Sequence, residues 1–372
     1  MKRCELFYTH SLTEANEVFY LTGFRAPDPF LCLHIQNRVV LIVSEMELSR
    51  ALREKKPRVH VITPQEVLKS QIGQAGTLAC IVAILEREQV EEVQVSEWFP
   101  AGLYAGLVEK GKKIEIGPSR VHGHRRKKSA KEIACIRGSQ RAAVEAMRAA
   151  ITHIKGADVR RDKVLLVDKK PLKSEDVRVL IQQRLMDFNC AGDEIIVAGG
   201  EQATDPHERG SGALRAGEAI ILDIFPRHNR HGYWGDITRT ICRGPAPDAL
   251  SKMYKAVYSA QREALGAVRA GARADRIHAQ VVASFEFAGY KTGRERGKPI
   301  GFIHGTGHGV GLDIHEGPRV SLQRETLRAG DVITIEPGLY YPGIGGVRIE
   351  DTVLVEKGGC KLLATCSKKF EV

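Results

Sequence analysis

The chain has 372 residues, 43% of them apolar, and a formal net charge of +11. That length suggests two domains, and the composition supports sizeable cores while excluding bulk disorder. No stretch of about eighteen apolar residues occurs, so no membrane-spanning helix is expected.

Met1-Lys2-Arg3 leads into CELFYTHSLTEANE without an apolar h-region, so no secretion signal is expected. The eight cysteines (4, 32, 80, 135, 190, 242, 360 and 366) include no C-x-x-C pair, which argues against a thiolate zinc site or a redox dithiol. Dispersed cysteines in a long chain fit a reducing compartment, and a cytoplasmic location is expected. The positive charge raises the question of nucleic acid. However, the densest basic run, RVHGHRRKKSAK (120–131), has six Lys or Arg in twelve residues and no aromatic side chain for base stacking. It reads as a solvated linker, with no specific nucleic-acid partner.

Residues 1 to about 120 alternate short strands and helices. FLCLHI and VVLIVS predict a hairpin, EMELSRALRE a helix, and TLACIVAILEREQ a further helix or buried strand–helix unit. After the basic run, Ser129-Ala130-Lys131-Glu132 matches a capping box and opens a helix with Ile133, Ile136, Met147 and Ile151 on its apolar side. The spacing then predicts helices over 174–188, 248–269 and 274–288. Strands are predicted over 194–198, 218–225, 235–242, 331–336 and 346–355. Helices early and in the middle, with hairpins at the end, give an α+β class rather than a doubly wound sheet. The expected division is 1–125 and 126–372.

Two of the predicted hairpins carry facing carboxylates. EAIILDIF (218–225) contains Asp223, GDITRTIC (235–242) begins with Asp236, and PRHNRHGYW connects them. If the hairpin is symmetric about Asn229-Arg230, the two Cβ atoms lie about 4.5–5.5 Å apart. Likewise DVITIEPGLYYPGIGGVRIEDTVLV, centred on Gly343, sets Glu336 opposite Glu350. Like charges facing each other on half-buried strands destabilise a fold unless buried arginines, a shared proton or divalent cations offset them. Four carboxylates with an imidazole form a hard, oxygen-rich donor set suited to manganese or similar ions, and their charge suits two cations better than one. The imidazole would come from HGTGHGVGLDIHE (304–316), where spacing alone does not separate His304 from His308.

In order along the chain, ILDI, GDITRT, HGTGHGVG, TIEPGLY and VRIEDT resemble the five metal-ligand segments of the pita-bread metallopeptidases, a family that includes methionine aminopeptidase, aminopeptidase P and prolidase. YLTGF (20–24) is similar to the start of the small N-terminal domain of the proline-specific branch. The resemblance covers essentially the whole chain. It implies a C-terminal pita-bread (creatinase/aminopeptidase-like) domain preceded by a smaller α/β creatinase-like domain. It also implies Asp223, Asp236, His308, Glu336 and Glu350 as ligands of two divalent ions, with Asp236 and Glu350 bridging. Mn²⁺ is the expected metal, with Co²⁺ or Zn²⁺ as alternatives.

The same resemblance implies catalytic roles for Glu336 as proton shuttle and for His207 and His315 on the substrate carbonyl, and a place in the substrate cleft for His304. Arg319, in HEGPRVS, and Arg348 are the candidates to pair with the carboxylate of a C-terminal proline, since guanidinium matches carboxylate in bidentate geometry. The implied activity is hydrolysis of Xaa-Pro bonds in small peptides by a homodimer, as an Xaa-Pro dipeptidase. Aminopeptidase P action on longer peptides is the alternative, and a non-catalytic binding or chaperone-like member of the fold is the alternative of another class. Asp223 and Asp236 are thirteen residues apart, slightly more than in relatives, and the segment 157–190 is long for the family.

Overall fold

A computed structural model describes residues 2–69 and 76–372. The chain divides into two compact units, residues 1–125 and 126–372.

In the first unit, β1 (Arg3–Tyr8) pairs antiparallel with β2 (Leu31–Ile35), which turns at Gln36 and Asn37 into β3 (Arg38–Ile42). Three further strands, β4 (Val59–Ile62), β5 (Glu92–Val95) and β6 (Lys113–Ile116), join in parallel to give the order β4-β3-β2-β1-β5-β6. Parallel pairing requires crossovers, and helices supply them: α2 (Glu45–Glu54), α3 (Thr77–Arg87) and α4 (Ala101–Glu109), with α1 (Leu12–Thr22) between β1 and β2. Alternate residues serve opposite faces. Leu6, Leu33 and Val40 enter one core, while Phe7, Cys32 and Leu41 enter the other.

The second unit opens with a departure from expectation. Arg126 and Lys128 of the basic run are held in ion pairs, and Lys128 is buried. Arg126 pairs with Asp331 and Glu325, and the Lys128 ammonium, 1% exposed, lies 2.5 Å from Glu316 Oε1. A run of like charges loses its appearance of solubility once acidic partners arrive from residues two hundred positions away, which no local pattern reveals. The capping box forms as predicted at the head of α5 (Ala130–Lys155), and Ile136 and Met147 are fully buried on its inner face.

Helices α6 (Ser174–Met186), α7 (Asp248–Ala267) and α8 (Ala274–Phe287) follow close to their predicted ranges. Residues 158–171 of the long segment before α6 fold as a small three-stranded sheet. The antiparallel sheet β7 (Ile196–Gly199), β8 (Ile220–Ile224) and β9 (Ile237–Ile241) shares a core with α5 and α6 through Leu222, Ile224 and Ile237. Strands β10 (Gly307–Gly309), β11 (Glu316–Val320), β12 (Val332–Ile335), β13 (Gly338–Tyr341), β14 (Gly345–Arg348), β15 (Asp351–Val355) and β16 (Cys360–Leu362) complete the unit. Five of them form a sheet in the order β11-β10-β12-β15-β16, backed by α7 and α8, while β13 and β14 form a separate ladder.

The registers differ in an instructive way from those expected. Asp223 faces Thr238 rather than Asp236, and Arg227 bridges Trp234, so the turn centres one residue later than Asn229-Arg230. The ladder is therefore shifted by two, which preserves the side-chain face and leaves Asp236 diagonal to Asp223. The later hairpin is centred on Gly343 as predicted: Gly338 faces Arg348 in one ladder, and Ile335 faces Asp351 in the other. Both ladders keep a single register, and Glu336 and Glu350 occupy the break between them.

Candidate metal centre

Backbone contacts fix each of the four carboxylates before its side chain is considered. Asp223 lies in β8, where every neighbour along the strand is buried. Asp236, one residue before β9, is bracketed by the Gln140 amide of α5: Asp236 N–H donates to Gln140 Oε1 (2.7 Å), and Gln140 Nε2 donates to the Asp236 carbonyl (2.8 Å). Glu336 N–H donates to the Thr306 carbonyl, and Glu350 N–H to the Thr238 carbonyl. His308 N–H donates to Thr334 Oγ1, whose hydroxyl donates in turn to Glu336 Oε1. The glycines around His308 answer a packing demand: a Cβ on Gly307 would lie 1.9 Å from the Thr334 carbonyl oxygen. They let strands approach one another, so the close contact is with backbone rather than with a metal.

The side chains converge. One ligand atom from each of Asp236, His308 and Glu350 lies within 4.8 Å of the others, and His308 Nε2 is 3.3 Å from Glu336 Oε1 and 3.5 Å from Asp236 Oδ2. His308 Nδ1 is 3.1 Å from the Gly309 carbonyl, which can only accept, so the ring proton sits on Nδ1. Burial, reinforced by His315, lowers the His308 pKa to about 3, so the ring is neutral. The Nε2 lone pair thus faces the carboxyl groups of Glu336 and Asp236. Asp223 Oδ1 and Glu350 Oε1 are buried with no hydrogen-bond partner among the described residues. Burial first, then the charges of Glu350, Asp223 and Glu336, push the Asp236 carboxyl well above the usual range. Burial with Glu336 and Asp223 does the same to Glu350, and burial raises Glu336 to about 7 against the opposing pull of Arg348. Acceptors outnumber donors here, the donors being Arg348 to Asp223, Thr334 to Glu336 and Thr238 to Glu350, and a set of oxygens plus one imidazole fits hard divalent cations.

A cleft of about 750 Å³ is lined by all ten residues singled out in the sequence: Asp223, Asp236, His308, Glu336, Glu350, His207, His315, His304, Arg319 and Arg348. Their environments differ. His315 packs edge-on against His308, with ring centroids 4.4 Å apart, and burial followed by Arg319 lowers its pKa. Both ring nitrogens of His304 are engaged, Nδ1 with the Gly305 carbonyl and Nε2 with the Tyr340 hydroxyl. Arg348 is 3% exposed and donates to Asp223 Oδ2 (2.6 Å) and the Tyr340 hydroxyl (2.8 Å). Its guanidinium is thereby turned toward the carboxylates. The Arg319 guanidinium makes no ion pair among the described residues, and neither does the Lys298 ammonium, a cleft residue absent from the sequence-based set.

Behind the carboxylates lies a second group that the sequence reading also passed over. Arg239, 1% exposed, donates to Asp351 Oδ1 (2.7 Å) and to the carbonyls of Thr238, Glu350, Cys366 and Ser367. Asp351 is held also by Lys368 and Gln261. A signal existed: buried ion pairs need both partners, and Arg239 and Asp351 sit within the two segments already quoted, GDITRT and VRIEDT.

Residues 134–357 match the model of metallopeptidase family M24, and the chain belongs to that family. It is 38% identical over 182 residues to an Xaa-Pro dipeptidase of Pyrococcus furiosus, an alignment covering 48% of this chain and 49% of that one. The chain thus spans about half the length of the curated relatives it matches. Among solved structures it resembles the prolidase from Pyrococcus furiosus, with TM-score 0.80 and 26% identity over 98% of this chain and 96% of the other. It also resembles the X-Pro aminopeptidase from Thermotoga maritima, with TM-score 0.82 and 21% identity over 100% and 98% of the two chains. The fold is the α+β pita-bread architecture of these proteins. No helix among the described residues is long and apolar enough to cross a membrane.

Proposed function

We propose that the protein is an Xaa-Pro dipeptidase that works with two divalent cations, manganese being the best match to its donor set. The observation that carries the proposal is the convergence of buried carboxyl groups on the Nε2 lone pair of a neutral imidazole, with one oxygen each of Asp223 and Glu350 left without a hydrogen-bond partner among the described residues. Asp223, Asp236, His308, Glu336 and Glu350 would hold the cations, which when bound supply Lewis-acid polarisation of the scissile carbonyl and an activated water.

The remaining work falls to the chain itself. Glu336 would act as the proton shuttle to the leaving proline nitrogen. His207 and His315 line the cleft with ring nitrogens uncommitted among the described residues, and they would donate to the carbonyl oxygen as it gains charge. Arg319, with Lys298, is available to pair with the carboxylate of a substrate ending in proline. Arg348 instead orients Asp223, and His304 braces Tyr340. The dipeptidase name of the Pyrococcus relative supports the same substrate class. The eight cysteines, all free, suit a reducing, cytoplasmic setting, and a homodimer is part of the proposal.

Ala-Pro and Ala-Pro-Ala offered side by side after manganese loading test it. Turnover of Ala-Pro with little cleavage of the tripeptide is the expected result. Preference for the tripeptide would replace the proposal with an aminopeptidase P activity. Cleavage of neither, with metal bound, would reject the proline assignment.

A further inference from the structure

The stretch from His304 to Glu316 ends in a carboxylate that the proposed chemistry does not use. Glu316 is 6% exposed, and its carboxylate sits inside the turn formed by the residues before it. Oε2 accepts from the Asp313 N–H (3.4 Å), and Oε1 accepts from the Lys128 ammonium (2.5 Å). A Cβ on Gly311 would lie 2.4 Å from this carboxylate, so the turn is wrapped directly on it. Trp234 holds the outside of the same turn, donating from its backbone to the Gly311 carbonyl and from Nε1 to the Leu312 carbonyl. The turn carries His315, which rests edge-on against His308, and β10 and β11 meet where Gly309 faces Glu316.

A buried ammonium–carboxylate pair costs desolvation on both sides, so it adds little net stability, but it fixes geometry when its other donors and acceptors are engaged. Lys128 is itself held, its N–H donating to the Gly330 carbonyl immediately before the α5 capping box. We propose that Lys128 is a positioning residue: through Glu316 it pins the 311–316 turn and so sets the place of the His315 ring in the cleft. The proposal takes the role of His315 from the functional reading above, and its test separates the two.

Lys128→Met alone would leave Glu316 charged, buried and without its ammonium, which threatens folding itself; the informative protein is the pair K128M/E316Q, which removes both charges with little change of volume. In the metal-free double variant, hydrogen exchange within 311–316 should rise at least about tenfold while β12 and α5 keep their protection. With metal bound, kcat for Ala-Pro should fall about 10–100-fold, as for other groups that orient a ligand or catalytic side chain, with KM changed by less than about threefold. Added to H315Q, the double substitution should cost little further kcat, because it acts through the same ring. Wild-type exchange in the turn of a folded K128M/E316Q protein would overturn the proposal, and so would full additivity with H315Q. If the wild-type protein cleaves no Xaa-Pro substrate, the functional reading fails, and the exchange measurement alone decides the pin.

Discussion

Loading the site with divalent cations at pH 7 should expel protons, and the number follows from the environments of three carboxyl groups. Glu336, with a pKa of about 7, is about half protonated there. Asp236 is raised well above the ordinary carboxylate range by burial and by the charges of Glu350, Asp223 and Glu336, and Glu350 by burial and by those of Glu336 and Asp223, so both favour the protonated form. His308, lowered to about 3, is already neutral and releases none. The cluster titrates as a unit, and full loading should therefore release at least about one proton. Calorimetric titration with Mn²⁺ in two buffers of different ionisation enthalpy reads that number directly. The apparent affinity product for full loading should rise at least about tenfold per pH unit between 6.5 and 7.5. The same linkage fixes a sign for stability. The folded metal-free protein holds protons that the unfolded chain has released, so stability falls as pH rises across that window. Release of fewer than about one proton, with affinity flat in pH, would mean the carboxylates are ionised in the empty site and would refute the electrostatic account.

Arg239→Met should lower stability by about 3–5 kcal/mol in urea unfolding, since it strips a buried guanidinium from Asp351 and four carbonyls; a loss under about 1 kcal/mol would show that Lys368 alone suffices for Asp351. Gly235→Ala should weaken manganese binding at least about tenfold, because its Cβ would lie 2.6 Å from backbone atoms of Ser139 and Gln140 and must displace Asp236. Gly358→Ala, with open space around it, is the control and should bind metal normally.

Much of the architecture was legible because the signals were local. The capping box at Ser129 and Glu132, the helix at Glu45–Glu54 and the hairpin centre at Gly343 each follow from patterns within a few residues. The carboxylate segments were readable for the same reason: a charge interrupting an apolar strand stands out wherever it lies. What could not be read was partnership across the sequence. Lys128 looked solvated because Glu316 is 188 positions away, and Arg348 was a candidate for substrate because nothing local announces its bond to Asp223. Gln140 is polar on a mostly apolar helix face, yet only the fold reveals that it brackets the backbone of Asp236.

The two-residue shift in the β8–β9 register bears on how this chain tolerates changes of length. Arg227 bridging Trp234 continues the Asp223–Thr238 ladder toward the turn without a change of parity. An insertion or deletion of two residues near Arg230 would leave Asp236 on the same side of the sheet as Asp223, whereas a change of one would turn it to the other side. The connector between these two carboxylates is thus free to drift in even steps over evolutionary time, and odd steps survive only with a compensating bulge.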